Sequence, residues 1–300
     1  MALGFTATIF LAAAALRLVR SKRRCEESLA HFVKEAWHII EPGQPYVHGW
    51  HIDAICQHLE AITDGLEVDD QIYNRLLINI PPGTMKSLAV SVFWPAWEWG
   101  PCEMQHLRYV CASHSQDLAI RDTTRMRRLI MSEWYQARWP HVKMTNDQNQ
   151  KTKFENVSGG FRQAVAAGSI TGARGDRVII DDPHSEQEAR QGNPEVYDSV
   201  YEWYTSGPRQ RLQPGGAVVI VMTRWSKRDL CAQILKNSSK DGTDSWEVIE
   251  FPAILPSGKP LWPGFWKKEE LEAIKAELPV SKWEAQYQQN PTSEEGAPSS

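Results

Sequence analysis

Residues 75–88 read Arg-Leu-Leu-Ile-Asn-Ile-Pro-Pro-Gly-Thr-Met-Lys-Ser-Leu: an apolar run, a Pro-Gly turn, a Lys-Ser pair and the start of a helix. Strand, tight loop and helix in that order form a cradle for an anion, because loop and helix N-terminal amides converge on it. The lysine adds positive charge, and the serine hydroxyl suits Mg²⁺. Pro82, Gly83, Thr84, Met85, Lys86 and Ser87 are therefore the candidate phosphate-binding residues. The segment departs from the standard P-loop. That pattern has glycine six residues before the lysine and directly before it, where this chain has Ile80 and Met85; the loop keeps only Gly83. Taken alone, the segment fits an ordinary strand–turn–helix with a surface lysine equally well.

A second strand end bears on the choice. Arg177-Val178-Ile179-Ile180 is a short β-branched run that stops at Asp181-Asp182-Pro183. Two acids at the end of a buried strand are costly unless a cation or a wet cleft compensates. In P-loop ATPases the first acid holds Mg²⁺ and the second polarises the attacking water. Asp182 is one methylene shorter than the usual glutamate. The simpler reading is a strand followed by an Asp-Pro turn. A third run, Ala217–Met222, leads into Thr223-Arg224-Trp225. In open α/β sheets ligands gather at such carboxyl ends. Thr223 and Arg224 are thus placed to sense a γ-phosphate, although a plain strand-to-loop transition also accounts for them.

The order of these pieces resembles the ATPase domain of a tailed-bacteriophage terminase large subunit. The matching segments are Gly49-Trp50-His51, Ile80–Ser87, Ala112-Ser113-His114-Ser115, Thr171–Asp176, Ile179–Pro183, Met222–Trp225 and Tyr287-Gln288-Gln289-Asn290-Pro291. The resemblance covers about residues 30–291, and a cradle lacking its last glycine fits a variant of that family. It implies an α/β, RecA/ASCE-like P-loop NTPase with a mainly parallel sheet flanked by helices. It also implies an ATP-hydrolysing motor that packages double-stranded DNA, with ATP and Mg²⁺ as cofactors. Implied partners are duplex DNA, the portal protein, the small terminase subunit and other copies of the chain in a ring. The implied place is the host cytoplasm, transiently on the procapsid and not in the virion. Lys86 would neutralise β/γ charge, Ser87 and Asp181 would hold Mg²⁺, and Asp182 would orient water. Trp50 and Gln57 become candidates for the base pocket. A helicase-like nucleic-acid ATPase and a non-hydrolysing nucleotide-binding remnant are the alternatives. The family's RNase H-like nuclease domain has no counterpart up to Ser300, so nuclease activity is not expected of this chain.

An arginine on the glycine-rich connection 168–176, Arg174, is the candidate finger; its simpler role is a pair with Asp176 or Asp182. Arginine fingers are worth about 10³–10⁵ in rate. Arg121, Arg125 and Arg128 share one helical face, by default a solvated one, otherwise a contact to DNA or to a neighbouring subunit.

Bulk properties set limits. A net charge of −4 gives no global basic footprint, so DNA binding needs a local patch. Five cysteines without metal-ligand spacing read as free thiols in a reducing compartment. The apolar stretch Leu3–Leu16 lacks the leading positive charge of a signal peptide and is shorter than the ~20 residues of a membrane span. An N-terminal helix packed on the body is expected, with a membrane-surface anchor as the alternative and no stable membrane association. Residues 1–65 are expected to be helical and part of the ATPase domain, 66–291 its core, and 292–300 a disordered tail. Strands are expected at 75–80, 108–112, 161–167, 177–181, 217–222 and 246–251. Helices are expected at 25–40, 51–62, 87–97, 115–134, 194–212 and 268–278, and a polar connection at 145–160.

Overall fold

Leu29, Phe32, Val33, Ala36 and Trp37 recur at helical spacing, and in the computed structural model of the chain they line the buried face of a helix. The structure describes residues 2–68, 70–169, 172–189, 193–241 and 245–292. It opens with α1 (Ala2–Glu27), α2 (Leu29–Ile40) and α3 (Trp50–Thr63). Ser28 caps α2, its hydroxyl accepting from the His31 amide at 3.3 Å. Among the described residues no helix is long and apolar enough to cross a membrane.

A small exposed hairpin, β1 (Glu67–Val68) and β2 (Gln71–Ile72), precedes β3 (Arg75–Asn79), which is buried along its whole length. The chain then enters α4 (Lys86–Leu88), a π-helical stretch (Ala89–Phe93) and α5 (Trp94–Trp99). Next come β4 (Tyr109–Ser113), α6 (Gln116–Met131) and α7 (Glu133–Gln136), then β5 (Met144–Asn149), β6 (Lys153–Asn156), β7 (Phe161–Ala166) and β8 (Gly175–Asp181). The remainder is α8 (Glu186–Ala189), α9 (Glu195–Ser206), β9 (Leu212–Met222), α10 (Leu230–Asp241), β10 (Glu247–Glu250), α11 (Lys268–Glu277) and α12 (Val280–Gln286).

The main sheet runs β10-β3-β9-β8-β4-β7-β6-β5. Its first six strands are parallel; β6 and β5 are antiparallel additions. Alternating side chains feed two cores. Leu76, Ile78, Ile179, Val219 and Val221 face α2, α3 and the helix after the cradle. Leu77, Val178, Ile180, Val218 and Ile220 face α9 and α10. Both faces are covered, which is why these strands read as unbroken apolar runs. This is the mainly parallel, helix-flanked sheet that the resemblance implied.

Register positions the site. β9 lies between β3 and β8, pairing Asn79 with Met222 and Asp181 with Val221. The residues that follow, Ile80, Asp182 and Thr223, therefore leave the sheet at one edge.

Some elements differ from expectation. The polar stretch 145–160 forms β5 and β6, because the free edge of β7 supplies ladder partners that the sequence pattern does not announce. Helices α10 and α12 had no expected counterpart. The expected tail, from residue 293 on, lies outside the described residues, as does Thr171.

Candidate active site

The loop after β3 is closed by its own threonine. Thr84 is buried, and its hydroxyl donates to the Pro81 carbonyl at 2.7 Å. From beneath, His51 at the start of α3 donates from Nε2 to the Thr84 carbonyl at 3.2 Å. Burial pushes the imidazole pKa down to about 4, which keeps it neutral; the carbonyl contact opposes this only in part. The loop makes two left-handed steps, Gly83 at φ +78° and Met85 at φ +66°. Met85 thus takes the backbone conformation that suits the glycine of the standard pattern.

Lys86 opens α4 and is buried. Its ammonium is ion-paired with Asp182 Oδ2 and lies 3.8 Å from Asp181 Oδ1. Burial pulls its pKa down, but the two carboxylates outweigh that and hold it above the usual lysine value. Asp182 adopts φ +43°, and all its polar atoms are engaged. Its amide donates to the Val221 carbonyl at 2.9 Å, and its carbonyl accepts from the amide and Nδ1 of His114. Its Oδ1 accepts the Thr223 amide at 3.0 Å. Thr223 Oγ1 in turn donates to the Ile80 carbonyl at 3.1 Å. The third strand end therefore ties the acid to the base of the cradle.

Asp181 differs from its neighbour. Burial pushes its carboxyl up to about 7, against the pull of Lys86. The Ser87 hydroxyl hydrogen-bonds this carboxylate, yet Asp181 Oδ1 is buried with no hydrogen-bond partner among the described residues. An orphaned carboxylate oxygen beside a serine hydroxyl fits a hard cation. Among the described residues no group of three or more His, Cys, Asp or Glu is placed to hold a metal. A cation here would draw its other ligands from water or phosphate.

A cavity of about 250 Å³ lies over the loop, walled by residues 82–88, Ser113, Leu118, Arg121, Asp181 and Asp182. A second, of about 460 Å³, opens on the other side of Asp182 and is lined also by His114, Thr223, Trp225 and Lys282. The structure thus brings Pro82 through Ser87, Asp181 and Asp182 to one cavity and Thr223 to its neighbour.

Other candidates stand apart. Arg224 is buried in a structural cluster, Nε donating to Asp229 at 2.9 Å and its amide to Gln289 Oε1 at 3.1 Å. Arg174 is exposed and lines neither cavity; the expected pair with Asp176 is not formed, because Arg108 takes that carboxylate at 2.8 Å. Trp50 is half exposed, its ring 5.5 Å from that of Phe251, and Gln57 is exposed on α3; neither lines the cavities. The arginine row on α6 is not a uniform solvated face. Arg125 is tied to Glu41 at 3.0 Å, and Arg121 reaches the loop cavity. Ser113 and His114 stood in a matching segment and Arg121 in the arginine row, but none was named as a site residue, because their places at the cavities depend on how α6 and β4 pack.

No protein-family model matches the chain, and no curated protein does. Solved structures do. The large terminase of bacteriophage HK97 superposes with a TM-score of 0.57 at 13% identity, over 88% of this chain and 55% of that one. A mutant form of the large terminase ATPase domain of Thermus phage P74-26 superposes with a TM-score of 0.52 at 14% identity, over 85% of this chain and 97% of that domain. The chain spans about half the length of the HK97 protein. In architecture the chain is similar to the ATPase domains of phage large terminases.

Proposed function

We propose that the chain is the ATP-hydrolysing motor domain of a phage terminase large subunit, driving double-stranded DNA into a procapsid. The observation that carries this reading is the convergence of Lys86, Asp181 and Asp182 on one cavity with a loop of phosphate-cradle geometry. Buried opposite charges that far apart in sequence are costly as scaffolding alone, and replacing them with apolar residues is often neutral or stabilising. A polyanion with its counter-ion gives them a use.

In this reading the amides of Gly83 to Lys86 and the Lys86 ammonium hold the phosphates. Ser87 and Asp181 hold Mg²⁺, which when bound neutralises charge on the phosphate oxygens. As the triphosphate enters, Lys86 turns from Asp182 to the phosphates, and Asp182 Oδ2 becomes available to a water. Asp182 orients that water in line with the γ-phosphorus. The water oxygen bonds to phosphorus, the bond to the bridging oxygen breaks with its electron pair on the leaving diphosphate, and the water proton passes to solvent. Thr223, bonded to both Asp182 and the cradle, feels the loss of the γ-phosphate. Arg224 relays it through Gln289 toward the segment after α12. Arg174 lies on the exposed surface, where it suits a neighbouring subunit's nucleotide better than its own. Trp50 and Gln57, which line neither cavity, are the candidates for the base on the α3 side of the loop.

Duplex DNA, the portal, the small terminase subunit and sister copies in a ring are the partners that this function requires, in the host cytoplasm. The test is steady-state ATP hydrolysis by the purified chain, with and without duplex DNA. Hydrolysis lost in Lys86→Ala supports the motor reading. Equal, negligible activity in both proteins removes it, and strand displacement on a forked duplex would make the chain a helicase instead.

A further inference from the structure

Among the described residues Arg121 is the one cation besides Lys86 on the wall of the loop cavity. It reaches that wall from the second turn of α6, one turn after Leu118, which lines the same cavity. Its guanidinium is gripped side-on by Asp122, which accepts from Nε at 2.9 Å and from Nη2 at 3.0 Å. Asp122 is itself buried, so the pair is anchored from the protein side. Side-on gripping leaves the Nη1 edge of the fork for a second anion. Asp181 and Asp182 are close enough to raise the Arg121 pKa, after the larger effect of the Asp122 hydrogen bond. The arginine is thus held at the acidic end of the cavity while about half its side chain remains exposed. An arginine serving only to neutralise Asp122 has no need to sit on that wall.

The geometry points to Arg121 as a catalytic residue that grips the terminal phosphate of the nucleotide bound by its own subunit, with Asp122 as its positioning residue. The inference rests on the nucleotide reading above and deepens it. Arg121 stays protonated throughout. Its open N–H groups donate to terminal-phosphate oxygens, where charge redistributes as the bond to the bridging oxygen breaks. Asp122 fixes the fork in advance, so little side-chain ordering remains to be done at the moment of reaction. The assignment separates Arg121 from Arg125, which is tied to Glu41 and touches Asp122 Oδ1 at 3.5 Å, and from the exposed Arg128, two turns on; neither lines the cavity.

The test measures binding of ADP and of AMP-PNP, each with Mg²⁺, together with kcat and KM for ATP. The proteins are the parent, Arg121→Gln, Arg121→Lys, Asp122→Asn and, as control, Arg128→Gln. Arg121→Gln is expected to lower kcat by about 10²–10³, the loss typical of one preorganised donor. It should weaken AMP-PNP binding well beyond ADP binding. Asp122→Asn should reproduce part of the kcat loss with a smaller change in KM, and Arg128→Gln should change neither. Thermal midpoints within a few degrees of the parent confirm that the variants are folded. Should Arg121→Gln keep the parent kcat, or weaken ADP and AMP-PNP equally, the assignment is overturned while the nucleotide reading stands. An effect confined to DNA-stimulated turnover also overturns it, and makes Arg121 a DNA contact. If the parent binds neither nucleotide, the nucleotide reading falls and this inference falls with it.

Discussion

The amide of Thr223 donates to Asp182 Oδ1 at 3.0 Å, and this bond fixes one carboxylate oxygen while Lys86 takes the other. The acid is therefore aimed by three chain segments at once: the cradle, the acidic strand end and the strand between them. A carboxylate held in this way is preorganised, and the effect of moving it should fall on turnover more than on binding.

That geometry predicts a split between two substitutions. Asp182→Asn keeps the Thr223 contact and should retain ATP binding while hydrolysis falls by several orders of magnitude. Lys86→Ala should lose both. Equilibrium binding of an ATP analogue beside single-turnover hydrolysis separates the two outcomes; parental turnover in Asp182→Asn would show that another group positions the water.

Met85 stands in the left-handed region, where a side chain costs about 1–2 kcal/mol. Met85→Gly should therefore leave the thermal midpoint unchanged or raise it slightly, despite the flexibility of glycine in the unfolded chain. Met85→Val adds a β-branch to the same strained backbone and should lower the midpoint by about 2–4 °C for each kcal/mol lost. Calorimetry on both variants tests the conformation at this position.

His51 makes stability pH-dependent. Its folded pKa, about 4, lies below the ordinary histidine value of 6.5, so between these limits the unfolded chain binds more protons. Its contribution is complete above about pH 6.5 and is lost as pH falls toward 4, with a magnitude of up to roughly 3 kcal/mol. Denaturant unfolding at pH 7 and pH 4.5 should show a larger loss for the parent than for His51→Gln. Equal losses would mean that the imidazole is not buried beneath Thr84.

Arg177 and Glu98 form a buried pair at 2.7 Å, with Thr63 and Tyr109 also donating to the carboxylate. Arg177→Met leaves a buried charge without its cation and should cost about 3–5 kcal/mol. The double variant Glu98→Gln/Arg177→Met should recover much of that loss, because the remaining hydroxyl donors keep an acceptor. Urea unfolding of the single and double variants measures the coupling.

Residues 75–88 and 177–183 announced themselves because their signals are local. Unbroken β-branched and aliphatic runs mark strands covered on both faces, and Pro-Gly and Asp-Pro mark where they stop. The helical period at Leu29 to Trp37 was equally readable, since each residue reports its own face. The antiparallel pair β5 and β6 escaped notice because its stability comes from an edge supplied by β7. A candidate role for Arg174 or Arg224 followed from proximity along the chain, and chain proximity does not fix where a long side chain ends.

By itself the sequence determined the strand–turn–helix at 75–88, the acidic strand end and helices α2, α3, α6 and α9, because backbone propensity and apolar period act over a few residues. Only the tertiary structure decided that β9 separates β3 from β8, that Thr223 clasps Asp182, that Arg224 is buried against Asp229 and that Arg121 reaches the cavity. Those outcomes depend on strand order and on helix packing across the sheet. Both are set by the summed burial of many distant side chains, and no short stretch of residues encodes them.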